Sequence, residues 1–354
     1  MEKLDETTVR AEFAPQTTYL NTASTGLSPA RTVTALRSAV EAATTGRPVD
    51  LFGDVHRSRE IFARIVSVPA SRVAAGASVA VYTGLIAAAL PPGAEVLTVE
   101  QDFSSTVASF HTRGDLKVRE VPLERVADSV RPSTSLVALS AVQSADGRVA
   151  DLAAVREAAL AHGARTYVDA SQGVGWLPLD AGAYDFVSAV AYKWLLCPRG
   201  VAFLVVPEDL GGLRPVFTGW ASGENPWDSC YGPVTELARS ARRFDESPST
   251  LAYAAARHSL ALIEELGTER IGAHDLALAD RFRAGLAARG LEPVPPVSSV
   301  PSLGSPIVAV PGLGARQGEL SRAGIELSDR AGNLRAAFHL YNTEADVDQL
   351  LDRL

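Results

Sequence analysis

The chain has 354 residues, of which 47% are hydrophobic and 21% charged, and its net charge at pH 7 is −8. This length is typical of about two domains, and this composition is typical of a globular enzyme rather than a disordered chain. The negative charge argues against nonspecific binding to nucleic acids or anionic membranes, and the apolar runs are shorter than the about 20 residues that span a bilayer.

Helices and strands alternate through the first part of the sequence. Helices are predicted at residues 28–44, with Ser28 as N-cap and Gly46 beyond the end, at 54–66, at 78–90, and between Asp151 and Gly163. Strands are predicted at residues 95–99, 116–121, 136–142, 165–169 and 184–190. This alternation predicts an α/β fold in which helices cover both faces of a mainly parallel sheet.

The pattern changes at about residue 250. Two amphipathic helices, at 251–266 and 270–289, each end at a glycine, and they precede short strands near 307–310, 325–327 and 335–340 and a last helix. This part is predicted to form a smaller C-terminal α+β domain, reached through a connector at 290–304. We therefore expect an N-terminal segment near the small domain (1–18), a large domain (19–250) and a small domain (251–354).

Lysine is rare in this chain, because Lys3, Lys117 and Lys193 are the only lysines among 33 cationic side chains. A lysine amine can lose its proton and form a Schiff base, whereas a guanidinium stays charged. Lys193 lies in the apolar segment 190–195, where desolvation would lower its pKa and favour the nucleophilic form. The alternative is a structural lysine whose amine reaches solvent from a strand end.

Asp169 ends one predicted strand, and Lys193 follows the next one. Because neighbouring parallel strands end at the same edge of a sheet, where α/β proteins place ligand chemistry, we expect the acid and the amine to lie close together. Pyridoxal phosphate requires this pair, since the lysine binds it covalently and the acid keeps its pyridine nitrogen protonated. A helix N-cap or a structural ion pair is the alternative role for Asp169.

Motifs along most of the chain resemble those of enzymes with the class V aminotransferase fold. They are Tyr19-Leu20-Asn21-Thr22-Ala23-Ser24-Thr25-Gly26, the D-x-x-Q pattern from Asp169 to Gln172, Tyr192-Lys193-Trp194, Pro198-Arg199-Gly200 and the closing run from Arg335 to Asp348. That group contains cysteine desulfurases, isopenicillin N epimerase-like proteins, kynureninases and cysteine-conjugate C–S lyases. The resemblance implies pyridoxal 5'-phosphate as cofactor, the fold type I architecture, an amino-acid substrate and a homodimer.

The resemblance also implies which residues bind the cofactor. They are Ala77 and Ser78 in the phosphate cup, Phe103 stacked on the pyridine ring, Ser144 and Gln172 near its phenolic oxygen, and Tyr192 as a phosphate ligand in place of the usual serine. Ser247 resembles the residue that reaches the phosphate of the neighbouring subunit. Taken without the resemblance, Ser78 is a plain helix N-cap and Phe103 is a core residue.

Arg335 is the residue that the resemblance implies for the substrate carboxylate, and Asn21 would line the same pocket. A planar guanidinium matches a carboxylate with two hydrogen bonds. The alternative for Arg335 is a surface position, since most cationic side chains of this chain are arginines. No metal site is predicted.

Two departures separate the chain from cysteine desulfurases. Segment 327–334, where the resemblance would place a catalytic loop, is short and contains no cysteine, and Tyr192 replaces the histidine before the lysine. We therefore expect a lyase that cleaves a Cβ–S or other Cβ or Cα bond of an amino acid or cysteine S-conjugate, with an aminotransferase or epimerase of the same fold as the alternative. A binding protein or nicotinamide enzyme is disfavoured, because no G-x-G-x-x-G follows the first strand.

The two cysteines, Cys197 and Cys230, make no disulfide framework, and the first residues show no basic and apolar signal pattern. A cytoplasmic location is therefore expected. We expect neither thiol to be catalytic, because a free cysteine is more often simply buried.

Overall fold

The computed structural model describes residues 4–48, 50, 52–295 and 304–354. The strands in chain order are β1 (Thr18–Tyr19), β2 (Val73–Gly76), β3 (Glu95–Val99), β4 (Lys117–Val121), β5 (Thr134–Ser140), β6 (Arg165–Asp169), β7 (Phe186–Val190), β8 (Ala202–Val205), β9 (Ile307–Val310), β10 (Ile325–Glu326), β11 (Ser328–Arg330) and β12 (Asn333–Ala337). The α-helices are α1 (Glu6–Glu12), α2 (Ala30–Thr45), α3 (Gly53–Ile65), α4 (Val79–Ala89), α5 (Ser104–Thr112), α6 (Val126–Ser129), α7 (Leu152–His162), α8 (Thr250–Leu266), α9 (Thr268–Ala287), α10 (Gln317–Arg322) and α11 (Glu344–Leu351).

Seven strands of the described ranges form one sheet in the order β2-β8-β7-β6-β5-β3-β4. The pairings β3–β4, β3–β5, β5–β6 and β6–β7 are parallel, whereas β8 runs antiparallel to β2 and β7. Parallel strands need both faces of their sheet covered, and a separate cluster of buried apolar side chains lies on each face. The predicted α/β fold with a mainly parallel seven-stranded sheet is confirmed.

The last part of the chain surrounds a three-stranded antiparallel sheet in the order β11-β12-β9. Helices α9 and α11 pack beside it, and their apolar side chains share a third buried cluster with those of the strands. Strand β1 pairs in parallel with β10, whereas α8 packs against α2 and α3. The domain boundaries at 18/19 and 250/251 stay a prediction, and residues 296–303 of the predicted connector 290–304 lie outside the described residues.

The predicted helices and strands lie within three residues of the observed bounds. The N-cap of α2 is one prediction that is wrong, because Pro29 rather than Ser28 takes this position. Pro29 has an extended backbone with ψ of 155°, and its carbonyl accepts the first helical hydrogen bonds, from the N–H groups of Thr32 and Val33 at 3.0 Å.

Residues 4–48, 50, 52–295 and 304–354 contain no helix that is both long enough and apolar enough to cross a bilayer. They also contain no group of three or more His, Cys, Asp or Glu side chains arranged to hold a metal ion.

Candidate active site

The carboxyl ends of β6 and β7 bring Asp169 and Lys193 to the same edge of the large sheet. Asp169 is the last residue of β6 and pairs with Ser188 of β7, and Lys193 lies three residues beyond the end of β7. Both side chains are buried, and both line a cavity of about 220 Å³. An acid and an amine that the sequence separates by 24 residues therefore share one cavity.

Two hydrogen bonds orient the carboxylate of Asp169. Oδ2 accepts from the hydroxyl of Thr106 at 2.8 Å, and Oδ1 accepts from the backbone N–H of Ser171 at 2.9 Å. In the described part of the chain, the element that follows Asp169 is not an α-helix, so Asp169 is no helix N-cap, and no cation forms an ion pair with it. Because each carboxylate oxygen can accept more than one hydrogen bond, Asp169 keeps acceptor capacity for a group in the cavity.

Lys193 is held in a setting that favours the neutral amine. Burial lowers its pKa to about 8, although the negative charge of Asp169 acts in the opposite direction. Its Nζ lies 5.1 Å from the centroid of the Phe103 ring. An amine with this pKa can act as a nucleophile or a base in weakly alkaline solution.

Phe103 lies at the mouth of the cavity rather than in the core. It precedes α5, its side chain is 44% exposed, and it lines the cavity together with Lys193. A core position is therefore excluded for this ring. An aromatic face in this place can stack on a planar heteroaromatic ring.

The N-terminus of α4 faces the same cavity through Ala77 and Ser78. Ser78 is the N-cap residue, but its side chain makes no capping hydrogen bond, so its hydroxyl is free for a ligand. A Cβ at Gly76 would lie only 2.7 Å from the hydroxyl of Tyr82, which explains the glycine before this turn. Free N–H groups at a helix N-terminus are a ready site for phosphate.

Tyr192 and Arg199 also line the cavity. The guanidinium of Arg199 lies 4.1 Å from the centroid of the Tyr192 ring, and its Nη2 donates to the hydroxyl of Thr25 at 2.9 Å. These contacts hold the side chains of Tyr192 and Arg199 beside Lys193. The role of Tyr192 as a phosphate ligand stays a prediction.

Gln172 is oriented by three groups at its side-chain amide and backbone. Its Oε1 accepts from the indole N–H of Trp194 at 2.7 Å, and its Nε2 donates to the carbonyl of Ala23 at 2.9 Å. The indole N–H of Trp176 donates to its backbone carbonyl at 2.7 Å. Gln172 lines a small second cavity of about 10 Å³, which shares Asp169 and Lys193 with the larger one. One N–H of its amide remains available there for a ligand.

Arg335 is almost fully buried, with 1% of its surface exposed, so the surface alternative is excluded. Its guanidinium donates to the hydroxyls of Ser328 and Ser24, at 3.0 and 2.7 Å, and to the carbonyl of Ser144. Burial, and then the charge of Arg330, lowers its pKa to about 9. Because its partners are neutral, Arg335 is a cation ready for an anionic ligand.

Asn21 and Ser247 are not among the residues that line the Lys193 cavity. Asn21 forms a bridge to Ala337 of β12, and its Oδ1 is buried without a hydrogen-bond partner. Ser247 is exposed on its own chain. Its predicted contact with a neighbouring subunit, and the predicted place of Asn21 in the substrate pocket, stay predictions.

Neither cysteine lies at the cavity. Cys197 is buried, and burial raises the pKa of its thiol, which makes it a poor nucleophile. Cys230 is exposed, on the loop between β8 and α8. Residues 328–334, close to Arg335, form a β-hairpin without a cysteine.

Sequence patterns did not single out several residues of this site. They are Ser24, Thr106, Ser171 and Trp194, which hydrogen-bond to Arg335, Asp169 or Gln172. The positions of Ser171, inside the D-x-x-Q pattern, and Trp194, next to Lys193, were usable signals. Ser24 lies inside the N-terminal motif from Tyr19 to Gly26, whereas Thr106 reaches the site through the fold and no local pattern marks it.

The chemistry of this donor set fits pyridoxal phosphate. Lys193 supplies an amine, Asp169 a carboxylate with free acceptor capacity, and Phe103 an exposed ring face, while the uncapped start of α4 supplies N–H groups for a phosphate. The orphaned Oδ1 of Asn21 is a further buried acceptor close to β12.

Comparison with known proteins gives one family. Residues 18–297 match the sequence model described as Aminotransferase class-V. The chain is 29% identical to the isopenicillin N epimerase of Amycolatopsis lactamdurans over 96% of this chain and 95% of that protein. It is 30% identical to that of Streptomyces clavuligerus, over 84% of this chain and 83% of that protein.

A solved structure shares the fold over nearly its whole length. The complex of the cystine C–S lyase C-DES with cysteine persulfide superposes with a TM-score of 0.85 at 22% identity, covering 96% of this chain and 97% of that chain. The predicted fold type I architecture is thereby confirmed.

Proposed function

Because the chain belongs to the class V aminotransferase family, we propose that it is a lyase that cleaves a Cβ–S bond, or another bond at Cβ or Cα, of an amino acid or cysteine S-conjugate. Pyridoxal phosphate is the cofactor of this family, and the protein is an enzyme that depends on it. The net reaction on a cysteine S-conjugate consumes water and releases a thiol, pyruvate and ammonia.

The proposal rests on the bases and nucleophiles that line the two cavities beside Lys193. Among the described lining residues, Lys193 supplies an amine that can act as a base, and none is a cysteine. A persulfide-forming desulfurase needs a thiolate at the substrate sulfur, whereas elimination needs one base at Cα and a departing β-substituent. The ring of Phe103, at the mouth of the cavity, offers no proton.

Each side chain then has a defined task. When bound, pyridoxal phosphate withdraws electrons from the substrate Cα and makes its proton acidic. Lys193 removes that proton as the general base and, as the general acid, gives it to the sulfur atom that departs from Cβ. Asp169 would keep the pyridine nitrogen protonated, and the remaining N–H of Gln172, together with Ser144, would hold the phenolic oxygen.

The substrate and the phosphate are held by the remaining predicted residues. Arg335 binds the α-carboxylate, with Asn21 in the same pocket, and the N-terminus of α4 binds the phosphate together with Tyr192. We propose a cytoplasmic homodimer in which Ser247 of each subunit reaches the phosphate of the other. An exposed Ser247, outside the cavity of its own chain, supports this arrangement.

Epimerisation is the second candidate, because two isopenicillin N epimerases match more than four fifths of this chain and of their own length. Two-base epimerisation requires a second proton donor in addition to Lys193. Tyr192 lines the same cavity and carries a hydroxyl.

One incubation separates the candidates. The cofactor-loaded protein is mixed with a panel of L-amino acids and cysteine S-conjugates in ²H₂O, and pyruvate, ammonia, thiol, keto acids and the D-isomer are measured. A lyase releases pyruvate, ammonia and thiol in equal amounts. Accumulation of a ²H-labelled D-isomer without pyruvate establishes the epimerase instead. A keto acid formed without ammonia establishes an aminotransferase, and its amount is limited to one equivalent per bound cofactor unless an amino-accepting keto acid is added.

A further inference from the structure

Three arginines act together on Lys193. After burial, the charges of Arg335, Arg199 and Arg330 all lower the pKa of Lys193. None of the three forms an ion pair with an acid among the residues that the structure describes; their hydrogen bonds go to hydroxyls and backbone carbonyls. In a chain with a net charge of −8, this positive cluster is a local feature rather than a result of composition.

Arg330 and Arg335 converge on a single oxygen atom. Nη2 of Arg335 donates to Oγ of Ser24 at 2.7 Å, and Nη2 of Arg330 donates to the same Oγ at 3.0 Å. Two guanidinium groups that share a neutral hydroxyl repel each other, and an anion between or beside them removes this repulsion. The α-carboxylate of an amino acid occupies Arg335 in the proposed function. Arg330, which is exposed and uses only two of its N–H groups, on the Asp329 carbonyl and Ser24, then has N–H groups left for a second anion.

The hairpin that carries Arg330 keeps the neighbouring acid away from it. Arg330 ends β11, and the turn continues through Ala331 and Gly332, both with positive φ. Oδ1 of Asp329 accepts from the N–H of Gly332 at 2.9 Å, so this carboxylate stabilises the turn. The part of Asp329 that Arg330 contacts is its backbone carbonyl, to which Nη1 donates at 2.7 Å, and not its carboxylate. The turn therefore presents the guanidinium towards Ser24 without neutralising it.

Arg199 occupies a different place. It lines the cavity together with Ala77 and Ser78 at the start of α4, and it stacks on Tyr192. This position is on the proposed phosphate side, whereas Arg330 is joined to the proposed carboxylate side through Ser24 and Arg335.

We propose that the substrate carries a second acidic group in addition to its α-carboxylate, and that Arg330 binds this group. The inference rests on the proposed function, because it takes Arg335 as the α-carboxylate site. The substrate class is an amino acid with a carboxylate or comparable anion at the end of its side chain. For a lyase acting on cysteine S-conjugates, the acidic group lies on the sulfur substituent.

Two probes of similar size test this class by turnover. S-Carboxymethyl-L-cysteine carries the second acid, and S-ethyl-L-cysteine lacks it. Loss of a hydrogen bond to a charged group lowers kcat/KM by about 10- to 100-fold. We expect Arg330→Gln to show this loss with the carboxymethyl conjugate and to keep its kcat/KM for the ethyl conjugate. The control is Arg322→Gln, at an exposed arginine at the end of α10, which is expected to leave both values unchanged.

A binding measurement tests the same proposal without turnover. Calorimetry on the cofactor-loaded protein compares glutarate, a dicarboxylate, with butyrate, a monocarboxylate. The wild-type protein is expected to bind glutarate at least about tenfold more tightly, and Arg330→Gln is expected to lose this preference.

The outcomes separate this inference from the lyase proposal. Equal binding of glutarate and butyrate by the wild-type protein overturns the inference, even if Arg330→Gln does not fold. A loss of kcat/KM that is equal for both conjugates in Arg330→Gln also overturns it, because Arg330 then serves the α-carboxylate. If neither conjugate is cleaved but the glutarate preference is present and depends on Arg330, the inference stands and the lyase proposal fails.

Discussion

The indole N–H of Trp194 donates a 2.7 Å hydrogen bond to Oε1 of Gln172, so the residue after Lys193 orients the amide that follows Asp169. The backbone carbonyl of Trp194 accepts from Nε2 of His339 at 3.1 Å, and Nδ1 of His339 contacts Asp275 at 2.8 Å. The cavity is thereby tied to α9 and to the segment after β12 by buried polar contacts.

Replacing Trp194 with Phe is expected to leave Oε1 of Gln172 buried without a donor. A buried unsatisfied acceptor lowers the free energy of unfolding by about 1–3 kcal/mol, which urea denaturation measures. The visible absorption of the bound cofactor should also shift, because the amide loses its orientation. Trp176→Phe is the matched control, since that indole donates to the backbone carbonyl of Gln172 and its loss should leave the absorption unchanged.

Asp169→Asn is expected to retain pyridoxal phosphate and to lose most activity. Asparagine can keep the hydrogen bond from Thr106 or Ser171, but as a neutral group it cannot hold the proton on the pyridine nitrogen. The fall in kcat follows from the lost protonation, because an unprotonated pyridine ring withdraws fewer electrons from the substrate Cα. Wild-type turnover in a cofactor-loaded Asp169→Asn variant would show that the carboxylate is structural.

The rate of cofactor attachment should depend on pH with a midpoint near 8. Burial lowers the pKa of Lys193 to about 8 in the protein without cofactor, so the neutral amine predominates above that pH and the rate rises through it. Asp169 opposes this shift, and Asp169→Asn should therefore move the midpoint to lower pH. Stopped-flow absorbance after mixing with pyridoxal phosphate measures both midpoints. A midpoint near 10 would mean that the amine is solvated.

Removing both thiols should leave the activity intact. Elimination needs no protein thiol, Cys197 is buried with a raised thiol pKa, and Cys230 is exposed outside the cavity. We expect the double variant Cys197→Ala, Cys230→Ser to keep its kcat on the substrate identified by the product assay. A variant that folds and binds cofactor but is inactive would contradict the lyase proposal and favour sulfur transfer.

Local patterns predict much of this fold, because the residues that begin and end a helix lie next to it in the sequence. Helix α7 begins after Asp151, whose side chain accepts from the N–H of Ala154, and it ends at Gly163, which has a left-handed backbone. Strand β8 is not predicted, because its insertion between β2 and β7 is decided by pairing across the sheet.

Local sequence likewise predicts some residues of the site and not others. Asp169 and Lys193 can be predicted, because Asp169 ends one strand, Lys193 follows the next, and neighbouring parallel strands end at one edge of the sheet. The convergence of Arg330 and Arg335 on Ser24 joins residues 306 and 311 positions apart, and no local spacing encodes such a contact. Thr106 likewise reaches Asp169 from 63 positions away.

Covalent attachment of pyridoxal phosphate to Lys193 can be measured directly. The purified protein is loaded with the cofactor, reduced with borohydride and digested, and the peptides are mapped by mass spectrometry. We expect the pyridoxyl adduct on Lys193. An adduct on Lys117, or on Lys3 outside the described residues, or the lack of any adduct after loading, would contradict it.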